Sequence, residues 1–173
     1  MKKIAVIYKS KYGATRRYAE WVAEALEAPL FEASAVNPSQ LQEYDIVIYG
    51  GGLYAGGVSG VKLVTKNACK SLIVFTVGLA DPEITDYTVV VSKSFTAEQL
   101  ADVKVFHWRG GMDYAELGFI DRRLMAMVKK LAEKKTPEER TSEDLGIIES
   151  YGKKVDFTDK SVIAPLIEYV RSL

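Results

Sequence analysis

The residues best suited to chemistry in this sequence form a short polar segment near its beginning, in which two hydroxyl side chains flank a glycine. The segment is Ser10-Lys11-Tyr12-Gly13-Ala14-Thr15. It follows an apolar run, Ile4 to Tyr8, and precedes a stretch with helical periodicity, Ala14 to Leu26. N–H groups at a helix start lack intrahelical acceptors, so main chain and hydroxyls there can bind a phosphate group. The alternative is an ordinary strand-to-helix turn with a hydroxyl cap.

Other phosphate-binding motifs fit the sequence less well. It contains no Gly-x-x-x-x-Gly-Lys-Ser/Thr run, which argues against nucleotide hydrolysis. A dinucleotide fingerprint over Gly50, Gly52 and Ala55 would follow a third strand and lacks a convincing acidic partner about 20 residues later. The predicted phosphate segment therefore remains the best candidate for a ligand site.

The elements around this segment alternate between strand and helix. Apolar, β-favouring runs predict five strands, at Ile4 to Tyr8, Leu30 to Ala35, Asp45 to Tyr49, Ser71 to Val77 and Val103 to Trp108. We expect the glycines at 50–52 to end the third strand. The stretch from Pro82 to Phe95 is ambiguous, and we favour a helix there. Such alternation predicts a doubly wound α/β fold, with helices on both faces of a mostly parallel sheet.

More chain follows the fifth strand than five strands require. Helical patterns cover Phe119 to Lys135, Thr141 to Tyr151 with Ser142 as the cap, and Ser161 to Leu173. We assign the terminal helix to closing the fold and residues 110–157 to a helical elaboration. The prediction is one domain over residues 1–173.

The phosphate segment and two later loops resemble the flavodoxin family. The family holds FMN between a phosphate loop after strand one and ring-contacting loops after strands three and four, which fall here at 50–57 and 77–82. The resemblance implies a three-layer sandwich with strand order 2-1-3-4-5, and an FMN site at the carboxyl ends of the strands. The ring-side residues it implies are Gly52, Leu53, Tyr54, Ala55, Gly56, Val77, Gly78, Leu79 and Asp81.

Two of these ring-side residues have ordinary alternatives. We expect Tyr54 to lie beside the isoalloxazine ring, the alternative being a partly exposed loop tyrosine. Asp81 precedes Pro82 and fits a helix cap better than a contact to the ring.

The segment after the fifth strand is similar to the family branch that includes bacterial menaquinone-linked protoporphyrinogen oxidase. Phe106 to Gly111, followed by a basic, methionine-containing helix from Phe119, carries this likeness. The resemblance is one of segments, so no catalytic residue follows from it. His107, the only histidine, is expected to be structural.

The charge and cysteine content limit which partners and which cellular compartment the sequence favours. The chain has 23 basic and 23 acidic residues, so nothing in its net charge favours nucleic acid. Electron-carrier flavodoxins are usually strongly acidic, which this chain is not. One cysteine excludes an intramolecular disulfide, and a short N-terminal apolar run argues against a signal peptide, so we expect a cytoplasmic protein without a metal site.

The function expected from these observations is electron transfer by an FMN-binding, flavodoxin-like redox protein. Its partner would be a redox protein or a quinone, and the amphipathic basic helix at 119–135 could lie on a membrane surface or pack on its own domain. The alternatives are a flavoenzyme of the protoporphyrinogen oxidase type and a non-redox binding module with the same fold. The sequence leaves the oligomeric state open.

Overall fold

The computed structural model of the chain describes residues 2–54 and 56–173, and its main element is a mostly parallel sheet. The strands of the described residues are β1 (Ile4–Lys9), β2 (Leu30–Glu32), β3 (Ile46–Tyr54), β4 (Gly57–Val58), β5 (Leu72–Gly78), β6 (Lys104–Arg109), β7 (Gly111–Asp113) and β8 (Lys154–Asp156), of which β7 and β8 form a separate sheet. The parallel strands lie in the order β2-β1-β3-β5-β6, and β4 pairs antiparallel with β3. Because β4 is a short extra strand, β5 and β6 are the fourth and fifth parallel strands. The predicted order 2-1-3-4-5 is therefore confirmed.

Helices cover both faces of this sheet. The α-helices of the described residues are α1 (Ala14–Leu26), α2 (Lys62–Thr65), α3 (Thr88–Ser94), α4 (Ala97–Asp102), α5 (Phe119–Lys134), α6 (Ser142–Ser150) and α7 (Ala164–Ser172), of which α5 and α6 lie beyond the sheet faces. Adjacent residues of a strand point to opposite faces of the sheet, and each face has its own hydrophobic core. Val6 packs with α1 and α7 in the first core, and Ile7 packs with α2 and α3 in the second. Leu166 and Val170 of α7 are buried in the first core, which confirms that the terminal helix closes the fold.

The glycine run at 50–52 does not end the third strand, contrary to our prediction. β3 continues to Tyr54, and within the run it pairs with β1 as far as Gly51 and with β5 as far as Gly52. A side chain at Gly50 would meet the ring of Phe75, since its Cβ would lie 2.1 Å from Cζ. The glycine is thus needed for close packing inside the sheet, and turn formation does not explain it.

The helix favoured for the ambiguous stretch 82–95 is confirmed, with a shorter extent, and one predicted helix cap is wrong. Only Thr88–Ser94 is α-helical, because Asp81 and Asp86 accept hydrogen bonds from backbone N–H groups two residues on and hold the preceding chain in turns. The cap of α6 is Thr141, one residue before the predicted Ser142: its hydroxyl accepts from the Asp144 N–H, and Asp144 accepts from the Thr141 N–H.

The segment predicted as an elaboration leaves the sheet and returns beside its own starting point. β7 pairs antiparallel with β8, and the Phe157 N–H donates to the Gly110 carbonyl at 3.0 Å. Between the two strands, α5 and α6 pack against each other. The pairing of β7 with β8 fixes both ends of the elaboration and places α5 and α6 near the carboxyl ends of β5 and β6.

Gly50→Ala tests the close packing within β3. Because the new methyl group would overlap the Phe75 ring, we expect a loss of about 1–3 kcal/mol in the free energy of unfolding, measured by urea denaturation. Gly57→Ala is the matched control, since its Cβ would meet only the Ser94 hydroxyl at 3.8 Å. Equal stability of the two variants would contradict this explanation of the glycine.

Candidate functional site

The predicted phosphate segment forms a turn that leads into an open helix end. Gly13 precedes α1 with φ of +97°, a conformation that residues with a Cβ rarely adopt. Within the described residues, no side chain caps α1, while the Ser10 hydroxyl accepts from the Gly13 N–H at 3.1 Å. The first N–H groups of α1 are therefore free to bind an anion, with the buried Thr15 beside them.

The three predicted loops converge on one cavity of about 370 Å³ at the carboxyl ends of the parallel strands. This volume falls in the usual range for small-ligand sites. The predicted residues lining it are Ser10, Lys11, Tyr12, Ala14, Thr15, Gly52, Leu53, Tyr54, Gly56, Val77, Gly78 and Leu79. Gly13 and Asp81 do not line it, and Ala55 lies outside the described residues. Asp81 instead accepts from the Glu83 N–H in a turn, and because the next helix begins only at Thr88, the expected helix cap is not observed either.

The elaboration supplies a further wall of the cavity that our sequence reasoning missed. The contributing side chains are mostly apolar: Leu117, Leu124, Met125, Val128 and Ile147. The sequence predicted an amphipathic helix that could pack on its own domain or lie on a membrane, but it did not indicate which side of α5 would line a cavity. The loop before α3 adds Thr85, Asp86 and Tyr87, for which the sequence carried no clear signal.

A buried carboxylate on α5 joins this wall to the predicted phosphate loop. The Lys11 ammonium lies 2.6 Å from Asp121 Oδ2, the Tyr12 hydroxyl donates to the same oxygen, and the Tyr54 hydroxyl donates to Oδ1 at 2.8 Å. Hydrogen bonds from Lys11 and then Tyr12 hold the pKa of Asp121 at about 2, below its usual 3.8, despite the opposing effect of burial. Asp121 therefore stays ionised and ties three groups of the cavity to α5.

Two contacts, one to its hydroxyl and one to its ring, hold the Tyr54 side chain in place. Its hydroxyl is fixed by Asp121, and the Lys11 ammonium lies 4.4 Å from the ring centroid, within cation–π range. The side chain is 42% exposed and still borders the cavity. Tyr54 is thus oriented at the site where the sequence predicts a ring-stacking residue.

Tyr87 presents the clearest unsatisfied group on the cavity wall. Its ring stacks on His107, with centroids 3.8 Å apart and planes 3° from parallel. Within the described part of the chain, its buried hydroxyl has no hydrogen-bond partner. A polar ligand atom within hydrogen-bond distance of this oxygen would give it a partner, since buried polar groups rarely stay unpaired.

His107 itself has a packing role. Its Nδ1 lies 2.6 Å from the Thr76 hydroxyl on the neighbouring strand, and the residue does not line the cavity. Burial lowers its pKa from 6.5 to about 4, so the ring is neutral at neutral pH. These features agree with the structural role expected from the sequence.

The Asp121 contacts give a pH dependence of known sign. Because the folded-state pKa is depressed, the stabilisation by Asp121 is present above pH 4 or so and disappears as the pH falls through about 2. We expect Asp121→Asn to lower the free energy of unfolding by about 1–2 kcal/mol at neutral pH. The difference from wild type should shrink between about pH 4 and pH 2 when urea unfolding is followed across this range.

Glu133→Gln is the control on the same helix. Glu133 pairs with Lys129 at 3.3 Å and is 49% exposed, so its removal should change stability by less than about 0.5 kcal/mol. A neutral-pH effect of Asp121→Asn no larger than that of the control would show that Asp121 does not hold α5 to the loops.

Several solved structures are similar to this chain. The WrbA-like flavodoxin of Agrobacterium tumefaciens is 25% identical, with 60% of this chain and 76% of that one covered and a TM-score of 0.46. Flavodoxin 2 from Bacillus cereus is 20% identical over 62% of this chain and 84% of that one, with a TM-score of 0.45. A flavoprotein from Lactobacillus acidophilus NCFM, in complex with FMN, is 14% identical over 63% and 93%, with a TM-score of 0.43.

Family membership rests on a different comparison. No curated protein sequence matches the chain. The family model described as a flavodoxin domain, however, matches residues 5–139, which include the phosphate loop, both predicted ring loops and α5. Because that match covers well over half of the chain, this protein belongs to the flavodoxin domain family.

Proposed function

We propose that this chain binds FMN in the cavity at the carboxyl ends of the sheet and acts as an electron-transfer protein. The observation that carries the proposal is the convergence of an uncapped helix end and two ring-side loops on that one cavity. Family membership supports the same cofactor. When bound, FMN supplies the redox chemistry, while the protein binds it, orients it and sets its potential.

The two ends of the cavity suit the two ends of such a cofactor. The N–H groups of α1, with the hydroxyl of Thr15, provide donors for a phosphate. The β3 and β5 ends, together with Tyr54 and the unpaired Tyr87 hydroxyl, offer flat and polar contacts for a ring with heteroatoms at its edge. The residues therefore fit a phosphorylated flavin.

A second candidate function is a flavoenzyme of the menaquinone-linked protoporphyrinogen oxidase type. The apolar wall from α5 and α6 favours it, because a simple carrier needs an exposed flavin edge and has no use for such a cover. Leu124, Met125 and Val128 would face an apolar substrate or a quinone beside the ring. No side chain is assigned a catalytic role in this proposal.

FMN titration of Thr15→Val tests the cofactor proposal. Removing one hydroxyl donor to a charged phosphate should weaken FMN binding by about ten- to a hundredfold, measured by the quenching of flavin fluorescence. Thr65→Val at the end of α2, which does not line the cavity, should bind like wild type. Folded wild-type protein that binds no FMN would overturn the proposal and favour a non-redox binding module.

Turnover distinguishes the two redox candidates. FMN-loaded protein that oxidises protoporphyrinogen with a menaquinone analogue would establish the enzyme, whereas a carrier would only exchange electrons with a redox protein. For the enzyme, Val128→Trp should lower turnover at least about tenfold by filling the apolar space, with FMN affinity kept within about threefold. Loss of FMN binding in that variant would instead place the cofactor against α5.

A further inference from the structure

The outward side of α5 exposes large apolar residues to solvent. Phe119 is 71% exposed, Ile120 77%, and Met127 and Leu131 54% each. At 100° per residue, these four side chains fall within an arc of about 120°. Single exposed apolar residues are common on protein surfaces, but four on one side of one helix form a patch that typically marks an interaction site.

The same arc also carries positive charge and no negative charge. Arg123, Lys130 and Lys134 lie on it and are exposed, with the Arg123 guanidinium 4.8 Å from the centroid of the Phe119 ring. Within α5, all of which the structure describes, the two carboxylates lie elsewhere. Asp121 is buried on the cavity side, and Glu133 pairs with Lys129. We call these four apolar and three basic residues the outer face of α5.

We propose that the outer face of α5 docks on the surface of an anionic lipid bilayer. Apolar side chains of an interfacial helix enter the boundary between headgroups and acyl chains, while long basic side chains reach the lipid phosphates. The outer face has both components interleaved on one side of a 16-residue helix. None of the described helices is long and apolar enough to cross a membrane.

Charge also argues against a second copy of this chain as the occupant. A twofold contact through this face would bring its three cations against the same three of the partner, without a carboxylate on either face to pair with them. The chain as a whole has zero formal net charge, so the attraction to anionic lipid comes from this local cluster.

Docking in this orientation would bring the cavity close to the lipid. The adjoining and opposite sides of α5 carry Leu124, Val128 and Met125, which line the cavity. These side chains are separated from the outer face by at most one helix diameter, roughly 10 Å. This placement gives a lipid-soluble molecule a short path to the cavity, although the docking itself does not depend on FMN.

Vesicle co-sedimentation tests the proposal on the full chain, with and without FMN. Phosphatidylcholine vesicles containing phosphatidylglycerol should bind the protein, and pure phosphatidylcholine vesicles should bind it much less. Lys130→Gln/Lys134→Gln should lower the partition coefficient on the anionic vesicles at least about tenfold. Ile120→Ser should lower it by about tenfold as well, because it removes a side chain that enters the bilayer.

The matched controls carry the same changes elsewhere. Lys62→Gln/Lys66→Gln alters two exposed lysines at the same spacing, and Leu173→Ser alters an exposed apolar residue near Lys2, at the other end of the sheet. Both controls should bind within about twofold of wild type. Circular dichroism checks that every variant is folded.

Three results would overturn the proposal. They are equal binding to both kinds of vesicle, equal loss in the controls and the variants of α5, and self-association of the free protein that Ile120→Ser abolishes. The last result would identify a second copy as the occupant. Because lipid binding can be measured on the protein without FMN, a failed FMN titration would leave this test intact. Failure of the lipid test would likewise leave the cofactor proposal intact.

Discussion

The architecture of the site depends on one buried carboxylate. Asp121 is the group through which α5 reaches Lys11 and Tyr12 of the predicted phosphate loop and Tyr54 of the predicted ring-side loop. An ionised carboxylate with so little solvent needs hydrogen-bond donors, and these three side chains provide them. The helix is therefore held where its apolar side closes the cavity, and Tyr54 is fixed in the same interaction.

The sheet beneath the cavity imposes a second constraint. Parallel strands end at a common edge, so the loops after β1, β3 and β5 meet without any long-range signal in their sequences. Close packing of β3 against Phe75 requires glycine at position 50, and Phe75 in turn stacks on Trp108, with ring centroids 4.6 Å apart. Val77 belongs to the same hydrophobic core as Phe75 and Trp108 and also lines the cavity, so this core extends to the cavity wall.

The two sides of α5 illustrate how one helix can serve two environments. Its inward side supplies a buried anion and an apolar wall, while its outward side has exposed apolar residues among cations. This sorting is hidden in the net charge of zero, because charges of both signs cancel over the whole chain. The net charge of this protein therefore carries no information on its individual surfaces, which differ in where their charged residues lie.

The sequence by itself determined the features that depend on local periodicity and on the geometry of parallel sheets. Apolar runs located the five parallel strands, although β3 runs further than predicted and the short strands β4, β7 and β8 were not predicted. Strand alternation placed the predicted phosphate loop, Ser10 to Thr15, and the predicted ring-side loops at the same edge of the sheet. Those rules act over a few residues, or follow from the handedness of strand-helix-strand connections, so they can be read from the pattern alone.

Only the tertiary structure decided what the elaboration does. Tyr12 and Asp121 are 109 residues apart, and no local pattern indicates that they meet. The continuation of β3 through its glycines was likewise decided by Phe75 on a neighbouring strand. In both cases the deciding contact joins distant parts of the chain. The geometry of such contacts exists only once the sheet, α5 and the paired strands β7 and β8 have come together.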